Sequence, residues 1–354
     1  MTEHCVMLFQ ATDVLSFRDG RPFNAGAAFT PSAQSVFPSP STMFGAVTDI
    51  LGGFPVAVRG PMLAMPNTHG EHESWLPIPV DVVPVPEKLG QPAQPNQQWT
   101  RLRWALDDID QRPGVETETG IVAGPIDEGS TPPGMYMRTA AMNSYLAGAV
   151  PFIRDSSLKA ITRQTQTGLA RGHEGMLYEA SMLRLDASQQ IAVLVETNEP
   201  VPRGVVSGRL GGRGRPVNVD VANVDELALP KCGLGPDDDN VILSVTLVTP
   251  GLFRNGWIPP RPDGGTLIGA ATGSPVAMSR MQSGRGQKRG SQSSLPEWRV
   301  DWAVPPGSTY VYRFSAPAHA QRFADKLHLR CLKPDYKPQR SQGFGLCLIG
   351  KAGQ

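Results

Sequence analysis

The residues of this 354-residue chain best suited to chemistry are arginines set among glycines. Between Arg203 and Arg215 lie four arginines and no acid, and the run "GRLGGRGRPV" sets Arg209, Arg213 and Arg215 around Gly211, Gly212 and Gly214. Glycine lets a backbone approach a ligand closely, and guanidinium forks match phosphate oxygens. Such a loop grips a polyanion and moves no proton. A solvated hairpin tip is the plainer use of the same residues.

Three further groups carry the same kind of chemistry. Arg163, Gln164, Thr165, Gln166 and Thr167, followed by Arg171 and His173, can donate to phosphate, ribose hydroxyl and base edge. An exposed strand face would use similar types. His173, beside Glu174 and near Arg171, has the one histidine setting suited to general-base work, although an exposed turn histidine looks no different in sequence. Ser39, Ser41 and Thr42 open an expected helix, where hydroxyls and free amides form either an anion site or an ordinary cap. The closing stretch "SQGFGLCLIG" follows Arg340 and holds Gly343, Phe344 and Gly345. In nucleotide folds the glycine loop opens a helix; here a β-type run, Leu346 to Ile349, follows, which argues for another polyanion. Trp257, near Arg254 and two prolines, is the aromatic best placed for a base or a partner.

Other chemistries find little support. "HGEHE" at His69 to Glu73 lacks the further ligands of a zinc site, and Asp237 to Asp239 reads as a solvated turn. There is no nucleophile elbow, P-loop or paired-carboxylate frame, so no cofactor and no metal are expected. Four separated cysteines without a C-x-x-C pair suggest neither a disulfide framework nor a zinc ribbon. The formal charge of +1 conceals segregation. Arg280 to Arg289 carries four cations and no acid, and only Asp335 interrupts the basic residues from Lys326 to Lys351. Acids gather at 107–128 and 220–239. That pattern fits one basic face for a polyanion and an acidic face for a neighbour. Without a secretory h-region or a long apolar run, a soluble cytoplasmic protein with no membrane partner is expected.

The elements that must position these residues follow from periodicity and caps. His4 to Phe9 reads as a strand. Ser39 as cap and Pro40 as first residue predict a helix whose apolar face is Met43, Phe44, Val47, Ile50 and Leu51, ended by Gly52 and Gly53. Residues 163–185 read as a hairpin turning at 171–175, and 191–196 as a strand. Val241 to Val248 and Thr309 to Phe314 read as strands. Ser315 is the expected cap of a helix from Pro317 to Leu329, and Leu346 to Ile349 closes the sheet. The acidic stretch 107–134 reads as an insertion, 208–217 as a basic loop, and 274–295 as a mobile tract. The fold expected is α+β with tandem ferredoxin-like (RRM-type) domains: 1–200, a loop and linker at 201–240, and 241–354.

"FPSPSTMFGAVTDIL", "TGLARGHEGMLYEASMLRL", "GGRGRPV", "LVTPGLFRNGWIPP", "WAVPPGSTYVYRF" and "QGFGLCLIG" occur in one order over most of the chain. Together they resemble the RAMP (repeat-associated mysterious protein) subunit of the type III-B CRISPR Cmr effector complex that holds the 5′ end of the guide RNA. The resemblance implies two RRM-like domains and a non-catalytic subunit gripping the 5′ handle of CRISPR RNA. It also implies two protein partners, the large polymerase-like subunit and the first RAMP backbone subunit. By position, 38–42, 163–174, 211–215 and 343–345 match the recurrent motifs. The sequence departs from the family at Thr165 to Leu169, where a more aliphatic arginine-led form is usual, and in its acidic insertion. A second reading is a RAMP-type metal-independent endoribonuclease that processes repeat RNA with His173 as proton-transfer residue. A third is a protein-binding scaffold that uses the acidic segment. On the leading reading, glycine-bearing basic turns from both halves converge into one groove for a ribose-phosphate strand.

Overall fold

The computed structural model describes residues 2–17, 36–85, 98–104, 114–117, 120–125, 131, 134–153, 157–159, 162–169, 177–212, 214–235, 238–281, 298–332 and 341–353. Among them the chain is an α+β protein dominated by strands, with α-helices at Pro40–Leu51 (α1), Thr139–Leu146 (α2) and Pro317–Leu327 (α3).

The first half is built on a nine-stranded sheet. Its centre is strand Glu3–Ala11, paired antiparallel to Gln190–Thr197 on one side and to Arg215–Ala222 on the other. Strand Ala57–Pro66 lies beyond Gln190–Thr197, so Glu3–Ala11, α1 and Ala57–Pro66 form a split β-α-β unit with one strand inserted between its two parallel members. Cys5 to Phe9 are all essentially inaccessible because the strand is covered on both faces. Cys5, Met7 and Phe9 meet Met43 and Val47 of α1 on one face, while Val6 and Leu8 meet Tyr145 and Leu146 of α2 on the other. The expected start and stop of α1 are both present. The Thr42 amide donates to Ser39 Oγ at 3.2 Å, and Gly52 ends the helix in the left-handed region at φ 67°.

The second half orders its principal strands Leu346–Lys351, Ile242–Leu247, Thr309–Phe314, Gly265–Ala271, all antiparallel. Helix α3 covers this sheet through Ala320, Phe323 and Ala324, with Phe323 against Tyr312 and Phe314. The halves are complementary: α1 fills the first crossover of one, α3 the second crossover of the other, and the remaining crossovers contain no α-helix.

Several expectations differ from the structure. The stretch read as a basic loop supplies strands Gly204–Leu210 and Arg215–Ala222 to the first sheet, because its valines alternate and bury Val217, Val219 and Val221 against Glu3–Ala11. The acidic insertion supplies Gly120–Ala123, which pairs with Gly265–Ala271 of the second sheet. Strand Val276–Met281 lies within the tract expected to be mobile, paired to Trp298–Ala303. Ser315 does not cap α3: Ala316 is the cap residue, and Ser315 Oγ instead lies 2.8 Å from His319 Nδ1. Helix α3 stops two residues early, at Leu327: His328 is extended at ψ 127°, and Leu329 follows at φ 56°.

The two halves share an apolar seam. Leu346 and Leu348 of the last strand join the core of the first half, while Cys347 and Ile349 on its other face lie under α3. Such continuous burial couples the sheets into one hydrophobic body.

Candidate nucleic-acid interface

Three of the sequence-selected segments are tied together by one short stretch, Leu15 to Phe17. Leu15 and Leu183 exchange backbone hydrogen bonds at 2.8 and 2.7 Å, which anchors the hairpin Thr162–Leu169/Leu177–Arg184. The Gly212 amide donates to Ser16 carbonyl at 2.7 Å, fixing the arginine-glycine turn. The Val36 amide donates to Phe17 carbonyl at 3.2 Å, three residues before the cap of α1. Hairpin, basic turn and helix start are thus neighbours, although 150 or so residues separate the first from the last in sequence.

Gly211 shows why the turn needs glycine. At φ 73° a Cβ there would lie 2.7 Å from Ser16 carbonyl oxygen and 2.9 Å from the Phe17 ring. The turn is therefore clamped at its base while Gly212 and Gly214 remain exposed. Arg209 is exposed on the rising strand, and Gly214 sits beside its aliphatic stem. Arg215 is partly buried: Nη1 lies 3.8 Å from Asp13 Oδ2, and Nε is buried with no hydrogen-bond partner among the described residues. Arg203, at the far end of the same edge strand, makes a long exposed contact of 3.8 Å with Glu3. Such exposed pairs hold little energy and leave the arginines available to a stronger anion.

On the hairpin, Thr165 is exposed and Gln164 and Gln166 are partly so; Gln164 Oε1 accepts from Arg184 Nη1 at 3.3 Å. Arg184 is a basic group that the sequence reading missed; its alternation with Met182 on a strand was the available signal. Arg163 and Thr167 lie on strand Thr162–Leu169, but their side chains, with Arg171, His173, Arg213 and Arg340, fall outside the described residues. The hydroxyls at the α1 start are turned to one another: Ser39 Oγ is 2.9 Å from both Ser41 Oγ and Thr42 Oγ1. They serve first as a cap.

The second half contributes differently from expectation. Phe344 is 1% exposed and Gly343 and Gly345 are buried, so this turn presents no cradle at the surface. A Cβ at Gly343 would lie 2.7 and 2.8 Å from the carbonyl oxygens of Gly60 and Val58, so the glycine admits close packing of the two halves. The expectation that glycine turns of both halves open on one shared surface is corrected in this respect: the turn of the second half lies buried at the junction of the halves. Trp257 is partly buried in the second core, and its carbonyl accepts from Tyr310 Oη at 2.7 Å; Arg254 is exposed in the same turn.

Burial raises the Cys5 thiol to about 11 and the Cys331 thiol to about 12, holding both protonated at neutral pH. Among the described residues no cluster of three or more His, Cys, Asp or Glu could hold a metal ion, and no helix is long and apolar enough to cross a membrane.

Comparison with known proteins adds the lineage. Solved structures similar to the chain include two of the type III-B Cmr-beta complex, one bound to cognate target RNA and one to cognate target RNA and AMPPnP. The first aligns at 13% identity and TM-score 0.45 over 95% of this chain and 93% of that one; the second at 14% and 0.44 over 95% and 92%. No curated protein matches. The family model for CRISPR-associated protein (Cas_Cmr3) matches residues 7–352, nearly the whole chain, and the chain belongs to that family.

Proposed function

We propose that this chain is a non-catalytic RNA-binding subunit of a type III-B CRISPR ribonucleoprotein. In this reading it holds the 5′ handle of CRISPR RNA and joins the large polymerase-like subunit to the RAMP backbone in antiviral defence. Family membership supports the setting. The observation that carries the RNA grip is the tethering of hairpin, arginine turn and helix start to Leu15, Ser16 and Phe17. Phosphate contacts from Arg209, Arg215 and the neighbouring Arg213 hold the strand, and the polar hairpin face lies alongside. The split β-α-β of the first half and the strand order of the second are read as two ferredoxin-like units, each with one helical crossover replaced by loop or strand.

Filter binding of repeat-handle RNA to the full chain tests the grip. Replacing Arg209 and Arg215 with alanine is expected to lower affinity by roughly tenfold or more and to flatten the salt dependence by about one to two units of slope. Unchanged affinity at low salt would remove the turn from the interface. Incubation of the same RNA in EDTA tests the non-catalytic assignment. The RNA is expected to remain intact; cleavage that disappears in His173→Ala would establish the endoribonuclease instead.

A further inference from the structure

Strand Gly204–Leu210 is one end of the first-half sheet. Its inner side pairs with Arg215–Ala222, and no described residue pairs with its outer side. The other ends of the two principal sheets are short: Ser157–Lys159, Gly114–Thr117 and Arg330–Cys331, of three, four and two residues. This end runs for seven residues in a register without a bulge, and contains neither proline nor lysine. Short strands, bulges, prolines and charged side chains are the devices that blunt a sheet edge, and the charge of Arg209 is all that this edge has of them.

The pairing shows which backbone groups are open. Pro216 stands opposite Arg209 and has no N–H, so that pair is not hydrogen-bonded and the bonded pairs are the alternate ones, Leu210–Arg215, Gly208–Val217, Val206–Val219 and Gly204–Val221. The N–H and C=O groups of Val205, Ser207 and Arg209 therefore point out of the sheet. Their side chains are exposed as well, Val205 to 70%, while on the other face Val206 and Gly208 lie under α1, with Ile50 beside Gly208. Donors and acceptors alternating at strand spacing specify the occupant. A phosphodiester backbone brings acceptors that suit the N–H groups and oppose the carbonyls; an extended peptide meets both. Charge narrows the choice further. No acid lies from Arg203 to Arg215, so a second copy of this edge would crowd two sets of these arginines, whereas an acidic strand neutralises one set. We infer that strand Gly204–Leu210 accepts an extended, acidic segment of a protein partner as a further strand of the first sheet. Val205 gives that strand an apolar neighbour. Only the backbone of Arg209 takes part, so its guanidinium stays available to phosphate. The inference rests on the proposed place in a ribonucleoprotein, which supplies the protein neighbours.

The test compares deuterium exchange at the Val205 and Ser207 amides in the free full chain, in the chain with guide RNA alone, and in the type III-B complex rebuilt with its other subunits. Exchange is expected to slow by roughly tenfold or more in the complex and to change little with guide RNA alone. Ser207→Pro removes an outward donor without breaking a bond inside the sheet, and is expected to lower incorporation into the complex by roughly fivefold or more while the free chain keeps its melting temperature and its handle-RNA affinity. Val205→Glu, which repels an acidic strand, is expected to lower incorporation more than Val205→Lys. Free exchange at this edge within the assembled complex overturns the inference, as does normal assembly of Ser207→Pro, or Val205→Lys impairing assembly as much as Val205→Glu. So does equal protection by guide RNA alone, or in a dimer of the free chain seen by sedimentation, which would make the edge an RNA contact or a self-contact. A native chain that enters no complex sinks the ribonucleoprotein reading and this inference with it; one that enters with the edge still open sinks only the strand addition.

Discussion

Tyr145 Oη donates to Asp81 Oδ1 at 2.9 Å in a fully buried position between the two halves. Arg101 completes the arrangement, with Nε 3.2 Å from Asp81 Oδ2 and its guanidinium 4.0 Å above the Tyr145 ring. Thr246 and Thr309 of the second sheet lie 3.4 and 3.3 Å from the same phenol oxygen. Burial, and next the Asp81 charge, push the phenol pKa up, so Tyr145 stays a donor. Removing Asp81 would leave Arg101 buried and unpaired. Asp81→Ala is expected to cost about 3–5 kcal/mol in urea unfolding, against about 1–3 kcal/mol for Tyr145→Phe. Similar small losses for both would mean that the carboxylate does not anchor the seam.

Gly343 separates two roles for the closing turn. Its φ is 96°, its carbonyl accepts from Thr249 Oγ1 at 2.6 Å, and its missing Cβ admits the Gly60 backbone. Gly343→Ala is expected to destabilise by at least ~1–3 kcal/mol through backbone strain and the clash, lowering the melting temperature. Once folded, the variant is expected to bind handle RNA normally. Loss of RNA affinity with unchanged melting temperature would restore the turn to the nucleic-acid surface.

These contrasts show what local sequence carried. The α1 boundaries were legible because Ser39, Pro40 and Gly52 act within one turn of the chain; strand Glu3–Ala11 was read from alternation at His4 to Phe9, although the structure buries Cys5 to Phe9 without a break. The cationic turn at 209–215 was legible from composition, but its clamp was not: Ser16 and Gly212 are joined by a backbone bond that depends on no side-chain type. Helix α2 went unread because Thr139–Leu146 has a weak amphipathic pattern and is buried on several sides by both halves. Phe344 and Gly343 looked like a ligand cradle because close approach of a second backbone and close approach of a phosphate place the same demand on a glycine. Only tertiary pairing distinguishes them.

His328 makes the seam between the linker and the second half sensitive to acid. It caps the C-terminus of α3, its Nδ1 accepts from the Ile349 amide at 3.2 Å, and Nε2 therefore carries the hydrogen donated to Pro230 carbonyl at 2.9 Å. That is a neutral ring. Burial holds its pKa below the ordinary histidine value, so the folded chain binds this proton less readily than the unfolded chain. The contribution to stability is fully present above the unfolded pKa, about 6.5, and is lost as pH falls through the lower folded value. Urea midpoints measured from about pH 8 down to about pH 5 should therefore drop more steeply for the native chain than for His328→Gln. The variant is expected to be less stable at the upper end by about 1 kcal/mol, through loss of hydrogen-bond geometry, and the two curves should converge in acid. Parallel curves across the range would show that the imidazole is not the group that titrates on unfolding.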